Sequence, residues 1–430
     1  MIYVVQPQDT LSAIGRRFGI SPNLLMLENA LDDPDRLVVG QALLVLIPEV
    51  VHSVRSGDSL SSIAREYQVS TRYLYRLNPW LGGVDDIYPG QSIIISYTEQ
   101  PSGQLLVNGY AYVFTDLALI NSTLPYLSAI MPFNYGFDME GNLVVPDDVE
   151  LLLLAQRQGS SALMVVAPMD AQGRFNNMLI SRVLNDNVLS SRLREQIVET
   201  AAARGYAGVD LDFEYILRQD SPAYVNFVRE LAEDLHRRGL ILSVALAPKY
   251  FAAQRGLLYE GIDYQALGQV ADLTLLMTYE WGYSGGPPQA VAPIYEVESV
   301  LDYGLSEIAA EKIMMGIPNY GYDWTLPYRQ GSTARSISNM QALELAWQYN
   351  AAIEYDEAAQ SPYFNYVDNE GNVHEVWFED VRSWQAKFAL AAQKGLRGVT
   401  FWTVSRPFPV GFLLLASQYD NLPISVVSGS

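Results

Sequence analysis

Gly208-Val209-Asp210-Leu211-Asp212-Phe213-Glu214 is the stretch that decides the fold. Three acids alternate with three apolar residues. On a β-strand alternate side chains share a face, so Asp210, Asp212 and Glu214 point one way at steps of about 6.6 Å, and Val209, Leu211 and Phe213 point the other. An amphipathic edge strand would show the same alternation with its acids in water. The surroundings argue for a buried parallel strand instead, because helical stretches flank it near 187–203 and 222–239. Three carboxylates facing a closed interior are costly unless they share protons or meet a polar ligand. Like charges so close drive pKa values apart and leave some acids protonated near neutrality. A protonated Glu214 at the mouth is what general-acid catalysis requires. A calcium site also gathers carboxylates, but the strict alternation and the lack of a glycine-bearing loop disfavour one.

Working outward, further short apolar runs fall at Leu105–Tyr112, Leu127–Pro132, Ala162–Ala167, Ile241–Leu246, Leu273–Met277, Lys312–Ile317 and Val399–Thr403. Further helical stretches lie near 147–158, 296–307, 335–350 and 379–394. Strands alternating with helices predict an α/β fold with a parallel sheet, and eight strands suit a (β/α)8 TIM barrel. An open doubly wound sheet is the alternative. No glycine-rich phosphate loop follows a strand, so nucleotide binding has no support. Trp281, Tyr283, Tyr320, Tyr322 and Trp324 cluster at the predicted strand ends, where aromatic faces with polar tips suit sugar rings.

The first hundred residues hold an internal repeat. Asp9-Thr10-Leu11-Ser12-Ala13-Ile14 matches Asp58-Ser59-Leu60-Ser61-Ser62-Ile63, Asn29 matches Asn78, and Gly40-Gln41 matches Gly90-Gln91. Each copy reads as strand–helix–helix–strand, with Thr10 or Ser59 capping its first helix. The expected organisation is 1–48, 50–97, a polar linker over 98–104, and one large domain over 105–430.

Composition narrows the function. The chain has 430 residues, 27 basic and 48 acidic side chains, a net charge of −21, three His and no Cys. That charge speaks against nucleic acid as a partner. Without Cys there are no disulfides or thiolate nucleophiles, and three scattered His make a metal site improbable. His52, His236 and His374 read as structural, and no cofactor is expected. No apolar run is long enough for a transmembrane segment, and the N-terminus has no signal-peptide pattern.

The repeats resemble two LysM modules, small α+β (βααβ) units that bind N-acetylglucosamine-containing glycans. The resemblance places the sugar near Asp9, Thr10 and Asn29 in the first module, and near Asp58, Ser59 and Asn78 in the second. For each side chain a capping or turn role is the competing reading. The Asp210–Glu214 motif resembles the fourth strand of glycoside hydrolase family 18. Met277-Thr278-Tyr279-Glu280, Gly316–Tyr322 and Phe401-Trp402 resemble its sixth, seventh and eighth strands. Glu280 stands where the family carries Asp.

The resemblance implies a retaining, substrate-assisted hydrolysis in which the substrate's acetamido oxygen is the nucleophile. Glu214 would be the acid and then the base. Asp212 would orient the acetamido group, Asp210 would sit behind it, and Tyr279 would bond the acetamido carbonyl. Trp402 would floor the sugar, with Glu280, Tyr320, Trp324 and Trp281 contacting substrate. The stretches 277–288 and 358–363 resemble spore cortical-fragment-lytic enzymes, which act on spore peptidoglycan during germination. That resemblance implies peptidoglycan or another N-acetylglucosamine glycan as partner and a spore-envelope location, otherwise the cytoplasm of the cell of synthesis. A chitinase and a non-catalytic glycan-binding envelope protein are the alternatives. The segment 323–378, where chitinases often insert a subdomain, is short enough to predict a reduced one and a shallower cleft.

Overall fold

A computed structural model describes residues 1–169 and 174–424. The acid-bearing strand, Gly208–Leu211, lies between Ser161–Val166 and Ile241–Leu246, parallel to both. The order continues through Leu273–Leu276, Ile313–Pro318 and Gly398–Trp402, which pairs with Gly103–Tyr112. That strand pairs with Ala129–Phe133, and this one returns to Ser161–Val166. Eight parallel strands therefore close on themselves. The closed barrel replaces the open-sheet alternative.

The alternation sorts the side chains as expected. Val209, Leu211 and Phe213 pack into the layer between barrel and helices. The barrel interior holds Leu106, Tyr110, Met131, Leu163, Val165 and Met314. The predicted strands agree with the observed ones to within two residues. The first starts at Gly103, inside the expected linker, because Tyr419–Asn421 pairs with Gly103–Leu105 and extends it.

Between the seventh and eighth strands the chain builds a five-stranded antiparallel sheet in the order 335–337, 321–326, 373–377, 361–367, 354–356. The helix Asn339–Gln348 covers it, over a core that includes Phe364, Val376 and Phe378. The short segment therefore forms an ordered α+β subdomain. Hairpin pairing makes a complete sheet affordable in a short segment. The helix near 335–350 belongs to this insert and not to the barrel.

Each repeat is one two-stranded antiparallel sheet with two helices. Ile2–Val4 pairs with Ala42–Leu44, and Pro48–Ser53 pairs with Ser92–Tyr97. Thr10 Oγ1 accepts from Ala13 N at 3.1 Å, and Ser59 with Ser62 forms a capping box. Each His pairs with a carboxylate: His52 with Asp58, His236 with Asp272, His374 with Asp323. Among the described residues no helix is long and apolar enough to cross a membrane.

Candidate functional site

The barrel's mouth opens into a cleft of about 490 Å³, lined by Asp212, Glu214, Tyr279, Glu280 and Trp402 together with Tyr112 and Phe114. Acids, phenol and indole come from the ends of the fourth, sixth and eighth strands, the position at which barrel enzymes place their chemistry. Asp210 is fully buried beneath them, and its Oδ2 accepts from Tyr110 OH at 2.6 Å.

The electrostatics grade from depth to mouth. Burial raises Asp210 above the usual carboxylate range, against the hydrogen bond from Tyr110. Burial, then the charges of Glu214 and Asp210, holds Asp212 well above that range. Its Oδ1 is buried without a hydrogen-bond donor. Burial and then the charge of Glu280 push Glu214 up to about 7. Burial and the charge of Asp212 keep the Tyr279 phenol protonated, so it acts as a donor. The stack therefore holds a removable proton near neutral pH at Glu214, its least buried acid.

Trp402 stands edge-on to Phe133, Tyr110 and Tyr112, at centroid distances of 5.0, 5.2 and 5.9 Å. Tyr112 in turn stacks on Phe114 at 5.2 Å and 11°. Phe114 is 82 % exposed. Its turn is held because Ser405 Oγ accepts from Tyr112 N at 2.9 Å and bonds Thr115 Oγ1 at 2.7 Å. Tyr112, Phe114 and Ser405 are not among the site residues expected from the sequence. The signal was available: Tyr110-Ala-Tyr112-Val-Phe114 repeats the alternation of the acid strand with aromatic residues.

Several predicted sugar contacts lie elsewhere. Trp324 is 2 % exposed, and its indole N–H donates to Gly286 O at 2.8 Å, so it is core. Tyr320 is buried and spends its hydroxyl on Glu280 Oε1, which also accepts from Tyr322 OH at 2.9 Å. The extra methylene of Glu280 thus reaches phenols behind the cleft wall. Its backbone is left-handed, at φ 68°. Trp281 N–H donates to Tyr250 OH at 2.6 Å, and Trp281 does not line the cleft.

In the modules, Asn29 Nδ2 donates to Leu25 O and Leu44 O and its Oδ1 accepts from Leu44 N. Asn78 makes the same three bonds to Leu74, Ile94 and Ile94. Both are buried. They pin the second helix to the last strand, with both amide hydrogens of each already donated and the side chains buried away from any sugar. Asp9 accepts from Tyr3 OH and Gln6 N, Asp58 from His52 and Arg55 N. Thr10 and Ser59, both exposed, cap helices. The turn and capping readings describe these four.

The model for glycosyl hydrolases family 18 matches residues 172–406, and the LysM domain model matches 3–45 and 52–96. The cortical fragment-lytic enzyme of Bacillus subtilis (strain 168) is 41 % identical over 97 % of this chain and 98 % of its own length. That of Bacillus anthracis is 35 % identical over 97 % and 98 %. The crystal structure of the Bacillus megaterium QM B1551 spore cortex-lytic enzyme SleL superposes with a TM-score of 0.84 at 35 % identity, covering 98 % of this chain and 99 % of that one. The acid stack at the barrel mouth and these likenesses agree: the chain is a glycoside hydrolase that carries two glycan-binding LysM modules and belongs to glycosyl hydrolases family 18.

Proposed function

We propose that this chain cleaves N-acetylglucosaminyl bonds of spore-cortex peptidoglycan, or fragments of it, during germination, with retention of configuration and with the substrate's own acetamido group as nucleophile. The proton-loaded Glu214, the least buried acid of the stack and part of the cleft lining, carries the reading. Its carboxyl proton passes to the glycosidic oxygen as the C1–O bond breaks. The acetamido oxygen closes on C1 and forms an oxazolinium ion. Asp212, one step deeper, orients the acetamido N–H and balances the developing positive charge, and Asp210 supports Asp212 from behind. Tyr279 donates to the acetamido carbonyl oxygen, and Trp402 carries the apolar face of the sugar. The Glu214 carboxylate then takes a proton from water, whose oxygen opens the ring at C1 and regenerates the acid. No enzyme carboxylate needs to bond the sugar, which sets this scheme apart from the usual pair of carboxylates.

The names of the relatives, cortical fragment-lytic enzymes of Bacillus species, support the substrate and a spore-associated location. The division into 1–48, 50–97, the linker at 98–104 and 105–430 fits the reading: two modules hold insoluble glycan while the barrel cuts.

The test is Glu214→Gln. Turnover of cortical fragments should drop by about 10³-fold while glycan binding persists; retained activity rejects the acid assignment. Mass spectrometry of products from spore cortex, vegetative sacculi and chitin, run side by side, checks the substrate. Preferential release from chitin would replace peptidoglycan with chitin.

A further inference from the structure

A second cavity, of about 600 Å³, lies between the first module, the helix Asn339–Gln348 of the insert and the turn after the eighth strand, which brings Ser405, Arg406 and Pro407. That turn also backs the catalytic cleft. Ser405 Oγ accepts from the backbone N–H of Tyr112, which lines the cleft. The Arg406 guanidinium lies over the ring of Tyr320 at 5.7 Å, and the Tyr320 hydroxyl donates to Glu280, another residue of the cleft lining. The volume is that of a pocket for a small molecule or a short side chain.

Arg406 is the charge that this cavity leaves unmatched. The side chain is half-buried, and its Nη2 donates to Ser336 Oγ at 2.9 Å. Nη1 is buried without an acceptor. Among the described residues no carboxylate lies within 4 Å of the guanidinium. Burial works against its charge, and the phenols of Tyr320, Tyr112 and Tyr322 oppose that. A buried cation without a counter-charge costs stability, and a chain of net charge −21 has acids to spare. The cavity's other cation is already committed: Arg36 pairs with Glu344 at 3.3 Å and lies over Trp347 at 4.2 Å. Of the cavity's acids, Glu344 is held by that pair and Asp32 is exposed on the module. The missing partner is an anion, and a guanidinium matches a carboxylate through two parallel bonds.

We propose that Arg406 is a specificity-determining residue that binds a carboxylate of the substrate, carried by the lactyl or peptide side chain of a muramyl residue next to the N-acetylglucosamine being cut. That side chain crosses the Ser405–Arg406 turn into the cavity between module and insert. A turn of the guanidinium on the face of Tyr320 brings Nη1 to the acceptor it lacks. Chitin carries no such anion. Arg406 therefore favours peptidoglycan in a cleft whose acids and aromatic residues serve either glycan. The inference rests on the peptidoglycan reading above and names the group that tells the two glycans apart.

The test gives the full-length chain three tetrasaccharides of alternating N-acetylglucosamine and N-acetylmuramic acid. One has free lactyl carboxylates, one has L-alanine on them, and one has them converted to neutral methylamides. The parent should prefer a charged form. Arg406→Gln should lower the ratio of kcat/KM, charged over neutral, by about tenfold or more, through KM and with kcat on the charged form within about twofold of the parent. Arg406→Lys, which keeps the charge but loses the fork, should restore part of the ratio. A fall confined to the lactyl or to the alanyl form identifies the carboxylate that is bound. A purely structural role for Arg406 would slow all three substrates alike, and an unchanged ratio in Arg406→Gln overturns the proposal. So does a parent that cleaves the charged and neutral forms equally well. A parent that cleaves a chitin hexamer and none of the three tetrasaccharides rejects the peptidoglycan reading itself, and this proposal with it.

Discussion

Gly40 and Gly90 are the same glycine of the repeat, and both have left-handed backbones, at φ +86° and +90°. A Cβ on Gly40 would lie 1.8 Å from Ile353 O, whereas at Gly90 it would meet nothing within 4 Å. The first module's loop is docked on the barrel's insert. Ile353 N donates to Val39 O at 2.9 Å, Arg382 donates to Gly40 O at 3.3 Å, and Val38 enters the insert's core. The second module's loop faces a cleft between the two modules.

The second helices reverse this arrangement. On Pro22–Glu28, Asn23 and Leu27 face the cleft. On Thr71–Leu77 the matching positions are Arg72 and Arg76, and both dock on the barrel. Arg72 donates to Pro125 O at 3.1 Å and Gln158 O at 3.4 Å, and also to the carbonyls of Leu124, Leu127 and Gly159. Arg76 donates to Tyr419 O at 2.7 Å. Burial lowers Arg72 only to about 10, so it stays charged and caps the carbonyl ends of two barrel helices. Each repeat thus spends one of two equivalent surfaces on the catalytic domain and leaves the other open. The shared landmarks specify the fold of a module; the residues that differ between copies decide what it touches.

The largest effect that can break this comparison comes from the helix pair. Arg72→Ala strands several buried carbonyls and should cost about 3 kcal/mol. Asn23→Ala, at the matching exposed position, should cost under about 0.5 kcal/mol. Urea denaturation of both variants decides, and equal costs would mean that the second module is not anchored through Arg72. The glycine pair comes next. Gly90→Ala meets only left-handed strain, about 1 kcal/mol. Gly40→Ala adds a collision with backbone and should cost about 2 kcal/mol more. Matching melting temperatures for the two variants would show the first module undocked in solution.

These asymmetries explain what the sequence could and could not disclose. All eight barrel strands were legible, because strands buried on both faces read as apolar runs between turns. The acid strand was legible because its alternation is broken by nothing. The helix Pro409–Gln418 was not, because it is buried nearly all round and carries no amphipathic period. Helices Leu117–Thr123 and Tyr264–Val270 are too short to show one. Residue type identified Asn29 and Asn78 as important without saying whether they face a sugar or a backbone. Trp324 and Phe114 show the same blindness from opposite sides: one aromatic near a strand end is sealed in the core, the other stands in water, and only the packing decides which.

Position 28, where the first module has Glu and the second has Leu77, adds an effect that only a change of pH reveals. Glu28 is completely buried. Burial pushes its carboxyl up to about 8, against the charge of the N-terminal ammonium, and neither carboxylate oxygen has a hydrogen-bond partner among the described residues. Unfolded, the same group titrates at about 4.3. Between those values the folded chain keeps a proton that the unfolded chain has lost, so stability falls as pH rises, by at most about 1.4 kcal/mol per pH unit. The full contribution is present below about pH 4, where both states are protonated, and the slope vanishes above about pH 8, where both are ionised. Glu28→Leu, which copies the second module, should flatten the dependence of the urea midpoint on pH between about 5 and 8. Leu77→Glu should steepen it, because the apolar surroundings of Leu77 would raise a carboxyl in the same way. Parallel pH curves for the parent and Glu28→Leu would mean that water or a rearranged partner already relieves the buried acid.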